Sequence, residues 1–151
     1  MKPAETDVKA DFHMHTEFSG DSAAPVRTML DAALERGMEA GCITDHIDED
    51  YPEDSETGAN PFLFDLDQYF QVLREIKKEY ADRLDVRIGV ELGLQPHLGE
   101  RYGRITEKYP FDFVIGSLHL IHGQDPYDGV IFEGRSDADV YREAFQATLE
   151  N

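Results

Sequence analysis

The sequence predicts an α/β fold, and three observations point to it. Strand-length apolar runs alternate with amphipathic helical segments, no low-complexity tract or internal repeat interrupts them, and each strand-like run ends in an ionisable residue. Alternation of this kind builds a parallel sheet or a barrel, with reactive groups gathered at the carboxyl ends of the strands. The 151 residues make one domain of ordinary size, since compact domains centre on ~100 to 150 residues.

The first strand is read over Val8 to His15. Ser22 or a neighbour is expected to cap a helix that Pro25, a favourable first-turn residue, opens and that runs to Glu35. Its apolar stripe is Val26, Met29, Leu30, Ala33 and Leu34, and Gly37 stands where a left-handed cap is wanted. Ala40 to Thr44 is the second strand, followed by a long polar loop from Ile47 to Pro61. A helix starting near Asp65 carries Leu66, Tyr69, Phe70, Leu73, Ile76 and Tyr80 on one face and ends before Asp85. Val86 to Leu92 is the third strand, a helix begins at Pro96, and Phe113 to His119 is the fourth strand. Ser136 and Asp139 form a Ser-x-x-Asp capping pattern for a final helix on which Tyr141, Phe145, Thr148 and Leu149 face one way.

Composition narrows the partners. The formal net charge is −18 with histidine neutral, a field that repels phosphate backbones and anionic headgroups, so neither nucleic acid nor membrane is expected as a partner. No apolar run of ~18 residues exists and the first residues lack a secretory pattern, which predicts a cytoplasmic protein. The single Cys42 rules out an internal disulfide and a cysteine zinc site, leaving His, Asp and Glu to hold any metal.

The four strand ends read His13-Met14-His15, Thr44-Asp45-His46, Gly89-Val90-Glu91 and Ser117-Leu118-His119. Four of the six histidines fall there. Residues two apart on a strand share a side, so His13 and His15 present both imidazoles to one cavity while Met14 points into the opposite layer. In a barrel the ends converge, bringing His13, His15, His46, Glu91 and His119 into one cup. Imidazoles with a carboxylate suit Zn, Fe or Mn better than Ca or Mg, which favour all-oxygen shells.

At these residues the chain resembles the PHP (polymerase and histidinol phosphatase) superfamily, and within it the histidinol-phosphate phosphatases. The resemblance rests on Asp11 to Ser22, on Ile43-Thr-Asp-His46, on Gly89-Val-Glu-Leu92 and on Phe111-Asp-Phe-Val-Ile-Gly-Ser-Leu-His119, in that order. It implies a distorted seven-stranded (β/α) barrel, of which this chain supplies four βα units, with up to three divalent metal ions (Zn, Mn or Fe). Carried over, His13 and His15 become ligands of the first metal pair and Asp21 a ligand of a third metal. His46 serves that same outer ion, Glu91 bridges two metals, and His119 ligates the second metal of the pair. His13, His15, Glu91 and His119 are the candidate catalytic set. Asp45 is expected to orient a neighbour or pack at the strand end.

The family pattern continues with a later Gly-His motif and a late Ser-Asp-Ala-His motif, and neither occurs here. Residues 1–151 therefore read as the N-terminal portion of a PHP domain, apparently incomplete, against a barrel of roughly 250 residues. An open half-barrel exposes strand edges and an apolar inner surface, so self-association or pairing with a C-terminal half is expected.

Other features read as ordinary surface. His97, His122, Arg101, Arg104 and Arg135 are weighed as substrate or phosphate contacts and taken as solvated. The acidic run Asp48 to Asp54 lacks the offsets of a calcium loop and reads as a lid or exposed loop. No dinucleotide fingerprint or phosphate loop is present, so NAD and ATP sites are not indicated. The resemblance points to hydrolysis of L-histidinol phosphate, a small phosphorylated substrate, in histidine biosynthesis. A PHP-type exonuclease or protein-tyrosine phosphatase is the enzymatic alternative, and a non-catalytic metal-binding or assembly module the other.

Overall fold

A computed structural model describes residues 8–151. The elements alternate as predicted except for β3, an unpredicted two-residue strand after β2: β1 (Ala10–Met14), α1 (Val26–Glu35), β2 (Ala40–Ile43), β3 (His46–Ile47), α2 (Leu66–Tyr80), β4 (Asp85–Gly93), α3 (Gly99–Lys108), β5 (Phe113–Ser117) and α4 (Asp137–Glu150). A short 3-10 turn, Pro96–Leu98, precedes α3. The sheet order is β1-β2-β4-β3, with β5 also paired to β4. β1 runs parallel to β2, and β2 parallel to β4. Four βα units of a partial PHP-type barrel account for this order.

The chain divides into two compact units. The first takes in the described residues up to 47, with 62–91 and 111–115; the second takes in 48–61, 92–110 and 116–151.

In the first unit, helix α2 begins where Asp65 accepts a hydrogen bond from the Gln68 amide at 3.0 Å, the capping geometry that satisfies an otherwise orphaned donor. Tyr69, Phe70, Leu73, Ile76 and Tyr80 are buried along it. Each such side chain contributes roughly 1.5–3 kcal/mol on burial, so this stripe outweighs the few tenths of a kcal/mol per residue at stake in helix propensity. The Tyr69 hydroxyl donates towards the carbonyls of Ile43 and Gly89, at 3.2 and 3.0 Å, tying α2 to β2 and β4.

Helix α1 departs from expectation at its start. Pro25 occupies the cap position with no side-chain cap, and Ser22 Oγ instead accepts from the Ala24 amide at 3.2 Å. Its end is as read: Gly37 adopts φ +79°, with Gly37 N–H donating to Leu34 and Met38 N–H to Ala33, the paired bonds of a Schellman cap.

Strand β1 carries an irregularity that period-two reasoning does not reveal. Ala10 pairs with Ala40 and Asp11 with Gly41, yet Met14 pairs with Ile43, so three steps on β1 match two on β2. The His13 amide donates to Asp11 Oδ1 at 3.0 Å in place of the ladder. A bulge of this kind re-aims the side chains that follow it. Met14 still packs inward, and Gly41 leaves it room: a Cβ there would lie 2.6 Å from Met14 Cε.

The second unit has a small core of Ile121, Ile131 and Val140, flanked by Leu118, Phe132 and Ala144. Ser136 caps α4 as predicted, accepting from the Asp139 amide at 3.3 Å. The predicted α4 face needs correction. Tyr141, Phe145 and Leu149 are exposed, and Val140 is the buried residue of this helix. The stripe was spaced for one face, but the core lies on the face that Val140 and Ala144 present.

Candidate metal centre

Three strand ends of the first unit are locked together before any side chain is considered. The Thr44 amide donates to Met14 O at 2.8 Å, and the Glu91 amide to Asp45 O at 3.1 Å, fixing the tips of β1, β2 and β4 against each other. Asp45, wholly buried, then accepts from Thr16 N at 2.5 Å and from Thr16 Oγ1 at 2.8 Å. Burial raises its pKa, while the Thr16 hydrogen bonds oppose that shift. Buried Ser19 accepts from the His46 amide at 2.7 Å. Thr16 follows His15 and Asp45 precedes His46, so these polar contacts set where two imidazoles emerge.

The cluster that results contains five of the candidate residues. His13 Nε2 lies 2.7 Å from Glu91 Oε2, His15 Nε2 lies 3.0 Å from that same oxygen, and His46 Nε2 lies 3.7 Å from it. On the other side, Asp21 Oδ2 is 2.8 Å from His15 Nδ1 and 3.4 Å from His46 Nε2. The rings of His13 and His15 are 4.9 Å apart by centroid, and those of His15 and His46 are 4.3 Å apart. The Glu91 side chain is 4% exposed, that of His15 17% and that of His13 53%, so the cluster grades from the interior to solvent.

Two sets of three donors, His13/His15/Glu91 and His15/Asp21/His46, each have ligand atoms within 4.8 Å of one another. The donor chemistry, imidazole nitrogen with carboxylate oxygen, fits a first-row divalent metal. One atom gives a sharper test of fit. His15 Nε2 is buried without a counted hydrogen-bond partner, its 3.0 Å approach to Glu91 Oε2 being an ion-pair contact. A buried polar atom left this way is costly, and a cation shared with Glu91 would satisfy it.

With protons alone, His15 is pushed up to about 9, chiefly by Glu91, against the lowering effect of burial, with Asp21 adding to the rise. The folded value lies above the ordinary 6.5, so this group stabilises the metal-free chain fully below pH 6.5 and the contribution is lost as pH climbs through about 9. Urea denaturation between pH 6 and 9.5 is expected to show that decline, and His15→Gln to flatten it.

His119 belongs to the second unit, where its Nδ1 lies 2.8 Å from Asp48 Oδ1. Asp48 is buried at 3% exposure, which corrects the reading of the whole acidic run as exposed. Residues 52–59 are exposed as read, whereas the first part of the loop is tied down. The Asn60 side-chain amide donates to Asp48 O at 2.7 Å, Arg101 to Glu49 at 2.8 Å, and the Tyr51 hydroxyl to Asp125 at 2.7 Å. His97 is exposed and 2.5 Å from Asp50, and His122 lies 3.8 Å from Glu143. Arg104 and Arg135 pair with Glu100 and Glu143. Sequence reasoning missed Asp11, Thr16, Ser19 and Asp48; only for Asp48, a carboxylate two residues beyond His46, did the sequence offer a signal.

The PHP domain matches residues 11–151. A Clostridium acetobutylicum protein named "Probable histidinol-phosphatase" is 35% identical over 139 residues, 92% of this chain and 50% of that one. The histidinol-phosphatase of Lactococcus lactis subsp. lactis is 33% identical over 124 residues, 82% of this chain and 44% of that one. A crystal structure of the histidinol phosphate phosphatase from Lactococcus lactis subsp. lactis, complexed with Zn, L-histidinol and phosphate, superposes with a TM-score of 0.85 at 31% identity. That match covers 94% of this chain and 52% of the other. The chain thus spans about half the length of the relatives it matches. With four strand-end motifs in order and the domain matched over residues 11–151, the chain belongs to the PHP domain family.

Proposed function

We propose that this chain carries the metal-holding part of a metal-dependent phosphomonoesterase that converts L-histidinol phosphate to L-histidinol and phosphate in histidine biosynthesis, in the cytoplasm. The observation that supports it most is the cluster of His13, His15, Asp21, His46 and Glu91 in a chain so similar to a phosphatase structure with Zn, L-histidinol and phosphate. In this reading His13 and His15 would hold the first metal pair, Asp21 and His46 would hold an outer ion, Glu91 would be shared between two ions, and His119 would serve the second of the pair. Divalent Zn, Mn or Fe, up to three in a whole barrel, supplies Lewis-acid charge neutralisation and an acidified water.

The chain's own groups do the rest. Glu91 is buried with its Oε2 against three imidazoles, and Asp45 holds the Thr16 segment that follows His15. The cavity also answers a charge conflict: at −18 the chain repels a phosphate dianion unless cations reverse the local sign.

Phosphate release decides the reading. Zn- or Mn-loaded protein, as the chain and as its natural reading frame, is assayed with histidinol phosphate, phosphotyrosine and a DNA 3′ end. Preferred hydrolysis of histidinol phosphate is expected; faster turnover of either other substrate replaces it with the protein-tyrosine phosphatase or exonuclease reading. Metal uptake without any turnover leaves the non-catalytic module.

The reading also takes residues 1–151 as the N-terminal portion of a longer barrel, tested by the genomic sequence following Asn151. Within the first unit, β1 ends the sheet order and Phe12, Phe113 and Val114 are exposed, a surface suited to a second copy or a C-terminal half. A well-folded monomer in sedimentation velocity would overturn self-association.

A further inference from the structure

We propose that Asp48 is a positioning residue that holds His119 in the tautomer with its proton on Nδ1, making Nε2 the ring's ligating nitrogen; the inference rests on the metal-centre reading above. The geometry lies within the second unit. His119 Nδ1 is 2.8 Å from Asp48 Oδ1, and a carboxylate only accepts, so the ring nitrogen facing it carries the hydrogen. Isolated imidazoles favour the other tautomer, so the contact has an orientation to impose. It also fixes the ring plane, which a metal ligand needs as much as basicity.

Asp48 is itself placed by backbone. Its carbonyl accepts from Asn60 at 2.7 Å, which anchors the start of the loop. The carboxylate sits over Gly93, the last residue of β4, where a Cβ would overlap Oδ1 and lie 2.5 Å from Cγ. No residue with a side chain fits at that position while Asp48 stays where it is. The strand tip and the loop are therefore shaped around one carboxylate, and that carboxylate faces His119. Asp48 and Gly93 lie just beyond Ile43–His46 and Gly89–Leu92, so this role is separate from the ligands carried over by resemblance.

The test uses nitrogen NMR of the metal-free chain together with zinc affinity by chelator competition. His119 signals are assigned by their loss in His119→Gln. The unmodified chain is expected to show the Nδ1–H form, Asp48→Ala to move to predominantly Nε2–H, and Asp48→Asn, whose carbonyl still accepts, to restore Nδ1–H. Zinc affinity is expected to fall about 10- to 100-fold in Asp48→Ala and less in Asp48→Asn. Gly93→Ala displaces the carboxylate and should reproduce the tautomer change; if it fails to fold, the two Asp48 variants decide alone. An unchanged tautomer in Asp48→Ala, or zinc affinity within about twofold of the unmodified chain, overturns the proposal. If the unmodified chain takes up no zinc, the metal-centre reading fails, and a tautomer shift in Asp48→Ala still establishes the positioning contact.

Discussion

Zinc titrated into the His13→Ala/His15→Ala double variant is expected to give no saturable binding, and any phosphate release seen with the unmodified protein to fall to background. His15 is a member of both three-donor sets that lie wholly within the first unit, and His13 completes one of them. The double change thus takes two donors from the first set and one from the second. The fold should survive. His13 is half exposed, and the residual cost is Glu91 left buried with fewer donors around it, about 1–3 kcal/mol. Isothermal titration with zinc and far-UV circular dichroism on the same preparation separate the two effects. Binding at unmodified affinity would remove the cluster from consideration as a metal centre. The single variants carry a ranking as well: His15→Ala should weaken zinc more than His13→Ala, because one ring serves both sets.

The second large effect is expected at Asp45. Its carboxylate accepts both hydrogen bonds of Thr16, and both residues are wholly buried. Asp45→Ala strands an N–H and a hydroxyl in the interior, a loss of about 2–4 kcal/mol by the usual cost of unsatisfied buried donors. Asp45→Asn keeps one acceptor but turns an amide donor towards another donor, so it should fall between the two. Urea denaturation of the metal-free proteins at pH 7 reads this out. Zinc affinity should fall alongside stability, because Thr16 and Asp45 adjoin His15 and His46. A stability change under about 0.5 kcal/mol would show that water replaces the carboxylate without penalty.

The strands and helices were legible because burial leaves a periodic trace. The α2 stripe, the Gly37 cap and the Asp65 and Ser136 starts all follow from side chains that act on their own neighbourhood. The gathering of His13, His15, His46 and Glu91 was legible for a related reason, since parallel strands bring their ends to one side and ionisable residues at three such ends are conspicuous. What stayed hidden depends on contacts between distant residues. The two-residue β3 is too short to have a period. The α4 face was misjudged because spacing reports which residues align and not where the core lies. Asp48 was misjudged because an acidic run looks uniform until the fold buries one member of it, and the Asp11 contact that opens the β1 bulge has no signature beyond an ordinary aspartate.

That bulge has a mechanical corollary. A continuous ladder would transmit any slip or stretch at the start of β1 straight to the two imidazoles at its tip. Here the Asp11 side chain takes the amide of His13, and the ladder resumes only at Met14. The extra residue works as slack, uncoupling the histidines from the strand that delivers them. A one-residue deletion inside the bulge would restore two-for-two pairing between Asp11/Gly41 and Met14/Ile43 and so remove that slack.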